Sequence, residues 1–328
     1  MKIGIITPAP PGSRYGNRVT ALRWSRILKR LGHTVFVEQL YQGRALDILI
    51  ALHARRSYDS IVRFHRDRPA NPIIVALTGT DLYRDLARSR AAQRSLEIAT
   101  RIVVLQPKAL EELSGRLREK ARVIYQSVAP SKARRASASR TFDVAVIGHL
   151  RAVKDPFRAA LASRRLPSSS RIRILQAGGA MTEAMARRAR AEMCKNPRYV
   201  WLGEQPSARA RRTLAQSRVC VISSRMEGGA NVLSEAIAYG VPVLASRIEG
   251  NQGVLGEDYP GYFEVGDTRG LAQQLLRAET DPDFLEELRR RCERLAPLFD
   301  LAREESEWRG LIDSLSIDAL APLPAGRR

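Results

Sequence analysis

Two glutamates eight residues apart, Glu227 and Glu235, flank a glycine pair, Gly228 and Gly229, and the start of an apolar-striped segment. An ionised carboxylate only accepts hydrogen bonds, so neither glutamate suits a phosphate. Both suit the vicinal hydroxyls of a ribose or hexose. Glycines just ahead of a helix let its backbone approach a ligand closely. The unpaired N–H groups of a first helical turn, with the helix dipole, make an anion site. Here those groups fall at Gly228, Gly229, Ala230 and Asn231. Asn231 and Glu235 share one face, with Glu235 about 6 Å along the axis. The parts are those of a pocket for a sugar-bearing phosphodiester.

A second cluster has the complementary charge. Gly148-His149-Leu150-Arg151 follows an apolar run, and Lys154-Asp155-Pro156 is expected to open the next helix. A departing diphosphate gathers negative charge, which cations facing the Gly228–Asn231 amides would stabilise. Lys154 stands out because only seven of the 55 basic residues are lysine. Asp281-Pro282-Asp283 has D-x-D spacing, yet Asp before Pro and an amphipathic stretch reads as a helix cap. No two of the four histidines have metal-ligand spacing, so neither a metal nor another cofactor is expected.

These residues need strands to carry them. Val219–Ile222 reads as a strand, Asn231–Tyr239 as a helix with Leu233, Ala236 and Ile237 on its buried face, and Val241–Ala245 as the next strand. With Phe142–Ile147, Arg171–Gln176, Tyr199–Leu202 and Gly261–Glu264 they make one α/β unit. Six earlier strands make another: Lys2–Thr7, His33–Val37, Asp47–Leu52, Pro72–Leu77, Arg101–Leu105 and Arg122–Tyr125. Neither G-x-G-x-x-G nor a P-loop follows the first strand. The expected organisation is a domain over 1–129, a polar linker over 130–140 and a domain over 141–299. A helix over 300–315 should pack back on the first domain, and 319–328 should be a disordered tail.

Strand ends of the first domain deliver polar residues to a common rim: Arg14, Gly16, Asn17 and Arg18, then His53, Arg55 and Arg56, then Thr80 and Asp81. These are the candidate acceptor residues. An acceptor needing deprotonation would use Asp81 or His53 as base. An anionic acceptor would use the arginines and need no base.

Composition limits the alternatives. The net charge is +21 and the pI about 10.8, but aromatics are 6% and no basic stripe with interleaved aromatics is present. The arginines read as solvated helix faces that also attract anionic substrates, and no nucleic-acid partner is expected. No apolar run reaches 18 residues, so no membrane insertion is expected. Three scattered cysteines and a strand-like N-terminus fit a cytoplasmic setting. Oligomeric state leaves no mark.

Glu227 and Glu235 resemble the E-x7-E signature of retaining GT-B glycosyltransferases of the family-4 type, and the Gly148–Lys154 element looks like their G-x-L-x-x-x-K. The resemblance implies a GT-B fold: two Rossmann-like, doubly wound α/β domains facing across a cleft that holds the active site. It assigns the ribose to Glu235, the transferred sugar to Glu227, and the diphosphate to Lys154, Arg151 and the loop amides. His149 joins this donor set. TPAPPGSRYGNRVTALRW, LIALHARRSYDS and LTGTDLYRDL together look like the selenosugar synthases of selenoneine biosynthesis. That resemblance implies a UDP-sugar, UDP-N-acetylglucosamine or UDP-glucose, and selenophosphate as substrates. Two other readings remain: an ordinary family-4 enzyme with a sugar or lipid acceptor, and a non-catalytic basic binding protein on the same fold.

Overall fold

The computed structural model describes residues 1–13, 15–129 and 140–318. Arg14, the expected linker except Arg140, and the tail 319–328 lie outside the described residues. The chain forms two compact units. One comprises Met1–Leu105, Leu110–Gln126 and Asp300–Arg328, the other Gln106–Ala109 and Ser127–Phe299.

The first unit is built on a parallel sheet of β1 (Lys2–Ile6), β2 (Thr34–Glu38), β3 (Ile48–Leu52), β4 (Ile73–Ala76), β5 (Arg101–Val104) and β6 (Ala121–Val123), in the order β2-β1-β3-β4-β5-β6. Its central strands, ILIAL and IIVA, are buried throughout, as expected of strands covered by helices on both faces. Trp24 from the helix Gly16–Arg30 sits at the centre of one helical layer. It meets Trp308 edge-on at 4.8 Å between ring centroids, and its indole N–H donates to Glu304 Oε1 at 2.9 Å. Trp308 and Glu304 belong to the last helix, Leu301–Asp318, so the C-terminal end of the chain completes the core begun by the first helix.

The second unit repeats the plan with β7 (Phe142–Ile147), β8 (Ile172–Ala177), β9 (Tyr199–Trp201), β10 (Val219–Ile222), β11 (Val243–Ser246) and β12 (Tyr262–Phe263). The order β12-β11-β10-β7-β8-β9 is that of a dinucleotide-binding sheet, and it reverses between β7 and β10. Every pairing in both sheets is parallel. Among the described residues, no helix is long and apolar enough to cross a membrane.

The tryptophan pair gives a test of this core. Trp308→Ala should destabilise the first unit by about 3–5 kcal/mol. Trp308→Phe keeps a ring and removes a buried indole N–H that has no hydrogen-bond partner, so it should cost far less. Urea unfolding followed by near-UV circular dichroism compares the two, and equal losses would contradict the packing described.

Candidate functional site

Open α/β sheets bind ligands beyond the strand carboxyl ends where strand order reverses, here between β7 and β10. After β7 the chain turns through Gly148–Arg151 into a short 3-10 turn, Ala152–Lys154, that ends at Asp155. Asp155 is left-handed, with φ 43° and ψ 54°, and its carboxylate accepts from Arg158 Nε at 2.9 Å. The α-helix begins only at Arg158. The expectation that Lys154 opens this helix is therefore corrected: a left-handed residue cannot continue a right-handed turn, so Asp155 separates the lysine from the helix.

The loop after β10 is fastened to this turn. Ser223 Oγ lies 3.1 Å from the carbonyl of Lys154 and 2.9 Å from that of Asp155. The Arg225 N–H donates to Val153 O at 2.8 Å, and its side chain lies 3.8 Å from the Asp155 carboxylate. On this frame Lys154 Nζ pairs with Glu227 Oε1, and Ser224 Oγ donates to the same oxygen at 2.6 Å. The lysine side chain is 22% exposed and the glutamate 11%. So enclosed a pair keeps far more of its attraction than a surface ion pair does.

Behind Glu227 the packing is close. A Cβ added at Gly250 would stand 1.9 Å from the Glu227 carbonyl oxygen. Ser246 Oγ donates to Ser224 O at 2.5 Å, and Asn251 Nδ2 donates to Ser246 O at 2.8 Å. Gly228 and Ala230 are buried, and Gly229 and Asn231 are half-buried. The helix Asn231–Ala238 starts after Ala230 with no side-chain cap. Glu235 is half-buried and near enough to raise two neighbours. Burial first, and this carboxylate second, push the Cys220 thiol well up and the Tyr239 hydroxyl up to about 12.

His149 is half-buried and Arg151 exposed in the turn after β7. That turn abuts the one after β8, where a Cβ at Gly178 would meet the Gly148 carbonyl at 1.9 Å. Trp201, at the end of β9, donates its indole N–H to Gly178 O at 2.8 Å. A small pocket opens between these turns, lined by Gly148, His149, Lys154, Ser223, Ser224 and Val232, with Gln176 of β8 also on its wall.

In the first unit His53, Arg55, Thr80 and Asp81 form a separate cluster. His53 is buried at φ 73°. The Arg56 N–H approaches its Nδ1 at 3.4 Å, which leaves the proton on Nε2, 3.3 Å from Thr80 Oγ1. Burial lowers the imidazole's pKa against the opposing pull of Asp81, keeping the ring neutral near pH 7. Asp81 is fully buried and accepts from the N–H groups of Thr78 (2.8 Å) and Ala54 (3.1 Å) and from the Thr78 hydroxyl (3.2 Å). These bonds make Asp81 the organiser of two strand-end loops, not a base reachable by an acceptor. Arg55 lies 2.9 Å from Asp85, while Arg56 is exposed. Gly16 is exposed, and Asn17 and Arg18 are half-buried. Arg18 Nε and Nη1 are buried without hydrogen-bond partners among the described residues.

A model of the glycosyl transferases group 1 family matches residues 130–297, just over half of the 328. The chain belongs to this family. No curated protein matches the transferase's sequence. Among solved structures, Anabaena HepE in complex with UDP and glucose superimposes with a TM-score of 0.76 at 14% identity, covering 96% of this chain and 100% of that one. Sucrose-phosphate synthase from Thermosynechococcus elongatus gives 0.74 at 15%, covering 97% and 99%. The UDP-forming trehalose-phosphate synthase from Burkholderia xenovorans, solved with glucose-6-phosphate, gives 0.65 at 12%, covering 92% and 79%. At these identities the likeness is one of fold, and it makes the transferase a GT-B protein with two Rossmann-like domains.

The sequence reading missed Ser223, Ser224, Asp155, Gly250 and Gln176. Ser223 and Ser224 lie in a loop already marked as polar, and Gln176 is the one uncharged polar residue in an apolar strand, so those three left a signal. Gly250 left none, since its constraint comes from a loop more than twenty residues away. Gly250→Ala should drive the helix Glu249–Leu255 against Glu227 and destabilise the second unit by about 1–3 kcal/mol. Thermal unfolding measures it, and a wild-type midpoint would show that the loop does not sit where it is described.

Proposed function

We propose that this transferase moves a sugar from a UDP-sugar, UDP-N-acetylglucosamine or UDP-glucose, to selenophosphate. The sugar's C1–O bond to UDP breaks and a C1–Se bond forms; water then takes the phosphoryl group from selenium. The products are a 1-selenosugar, UDP and phosphate. The donor half rests chiefly on one observation: the Lys154–Glu227 pair stands beside the uncapped start of the helix Asn231–Ala238, at the sheet's reversal point. In this reading Lys154, Arg151, His149 and the amides of Gly228–Asn231 grip the diphosphate. Glu235 holds the ribose and Glu227 the sugar hydroxyls. Solved relatives of the same fold that contain UDP support the donor class.

The acceptor half rests on the resemblance of the three first-domain blocks, and the arginines support an anion. Arg18 has unengaged buried N–H groups and Arg56 is exposed, so these two, with Arg14, are the natural cations for a selenophosphate. Arg55 is committed to Asp85, and His53, Thr80 and Asp81 shape two strand-end loops; with Gly16 and Asn17 they make up the acceptor side of this reading. An acceptor that arrives ionised fits the buried, fully bonded state of Asp81. Glucose-6-phosphate in the trehalose-phosphate synthase relative favours a second reading, a phosphorylated sugar as acceptor.

UDP release separates these readings. Release from a UDP-sugar only with selenophosphate supports the first, release with sugars or lipids supports an ordinary glycosyltransferase, and none with any acceptor leaves a binding protein. Lys154→Ala should lower kcat about 10²–10³-fold, the usual loss of a charge-stabilising group. Glu235→Gln should raise the donor KM about tenfold or more with a smaller effect on kcat. Wild-type kinetics in both variants would end the donor assignment.

A further inference from the structure

Gln176 belongs to β8, where it pairs in register with Val146 on β7 and Trp201 on β9. It is 1% exposed, and its Oε1 has no hydrogen-bond partner among the described residues. Its neighbours Val146 and Val221 on the same pocket wall are apolar. Buried carboxamides are normally bonded, because an unpaired one gives up its bonds to water for nothing. A leucine or methionine would fill this place in the strand better. Yet Gln176 lies on the wall of the pocket that contains Lys154, His149, Ser224 and Val232 in the first turn of the helix Asn231–Ala238. An orphaned polar group inside a ligand pocket is satisfied by the ligand.

The pocket's other groups indicate which part of the ligand meets it. A lysine and a helix start favour an anion. A half-turn of the terminal torsion exchanges the two ends of a carboxamide, so Gln176 can offer its NH2 group, and an anion accepts from that end. We infer that Gln176 is a binding residue for the donor's diphosphate, its NH2 group donating to a phosphate oxygen at the floor of the pocket. This rests on the donor-site reading given above. It adds a neutral donor to the charge of Lys154 on the same pocket wall, so that the diphosphate is held by a directed bond as well as by its charge.

The test is calorimetric titration of the full-length protein with UDP and with UDP-glucose, beside thermal unfolding. Gln176→Leu should melt no lower than wild type and bind both ligands five- to tenfold more weakly, since both carry the diphosphate. Gln176→Glu should bind UDP more than tenfold more weakly at pH 8 and regain affinity as the pH falls toward 5 and the carboxyl takes a proton. The wild-type ratio between those pH values should change far less. A stable Gln176→Leu protein with wild-type affinity for UDP overturns the inference while leaving the donor site intact. A loss confined to UDP-glucose also overturns it, by placing the contact on the sugar. If the wild-type protein binds no UDP at all, the donor-site reading itself has failed.

Discussion

The second unit depends on an attraction between two loops that leave neighbouring parallel strands in opposite directions. The loop after β7 carries Lys154 and the loop after β10 carries Glu227. Parallel strands cannot be joined by a tight turn, so nothing in the sheet's own hydrogen bonding fixes how these two ends face one another. Ser223 does, by placing one hydroxyl against two successive carbonyls of the opposite loop, and the Arg225 amide adds a third tie. The ion pair then forms in a frame that is already set. Such a pair has already given up its side-chain freedom to its surroundings, which is the physical content of preorganisation.

The two polar clusters are built on different principles. Around Glu227 the groups are charged and partly open, with one carboxylate oxygen shared by an ammonium and a hydroxyl. Around Asp81 the carboxylate is closed off and its oxygens are taken up by backbone and side-chain donors of its own loops. A carboxylate bonded in that way stabilises its surroundings and has little capacity left for chemistry. The π-helical turn Asp81–Asp85 that carries it is a rare conformation, and two of its members, Asp81 and Asp85, are buried acids.

Much of this was legible in the chain. Apolar runs bounded by glycine and polar residues marked all twelve strands, and β7 and β10 begin and end where the pattern placed them. The scarcity of lysine and the resemblance to G-x-L-x-x-x-K picked out Lys154, and the glutamate spacing with its glycine pair picked out Glu227; the two meet although 73 residues separate them. The local conformation at Lys154-Asp155-Pro156 was not legible, because a proline after Asp suggests a helix start and only the tertiary ties to Arg158, Ser223 and Arg225 hold Asp155 left-handed. Asp81 reads as a rim residue because polar strand ends usually are exposed, whereas for His53 the sequence leaves a hydrogen-bonded structural role equally open. Their burial follows from their bonds to each other's loops, which no single stretch of sequence reveals.

The meeting of Trp24 with Glu304 and Trp308 makes an early core wait for a late helix. The hydrogen bond that closes this contact spans 280 residues, so a nascent chain leaving the ribosome has made the first sheet long before the helix that seals it exists. Until that helix emerges, Trp24 and the apolar face around it have no cover from it. The sheet of the second unit has no such debt to the far end of the chain, because all six of its strands emerge in sequence between residues 142 and 263. During synthesis the first unit is therefore sealed only after the sheet of the second has emerged, and in that interval its open apolar face is exposed to proteases and to sticking.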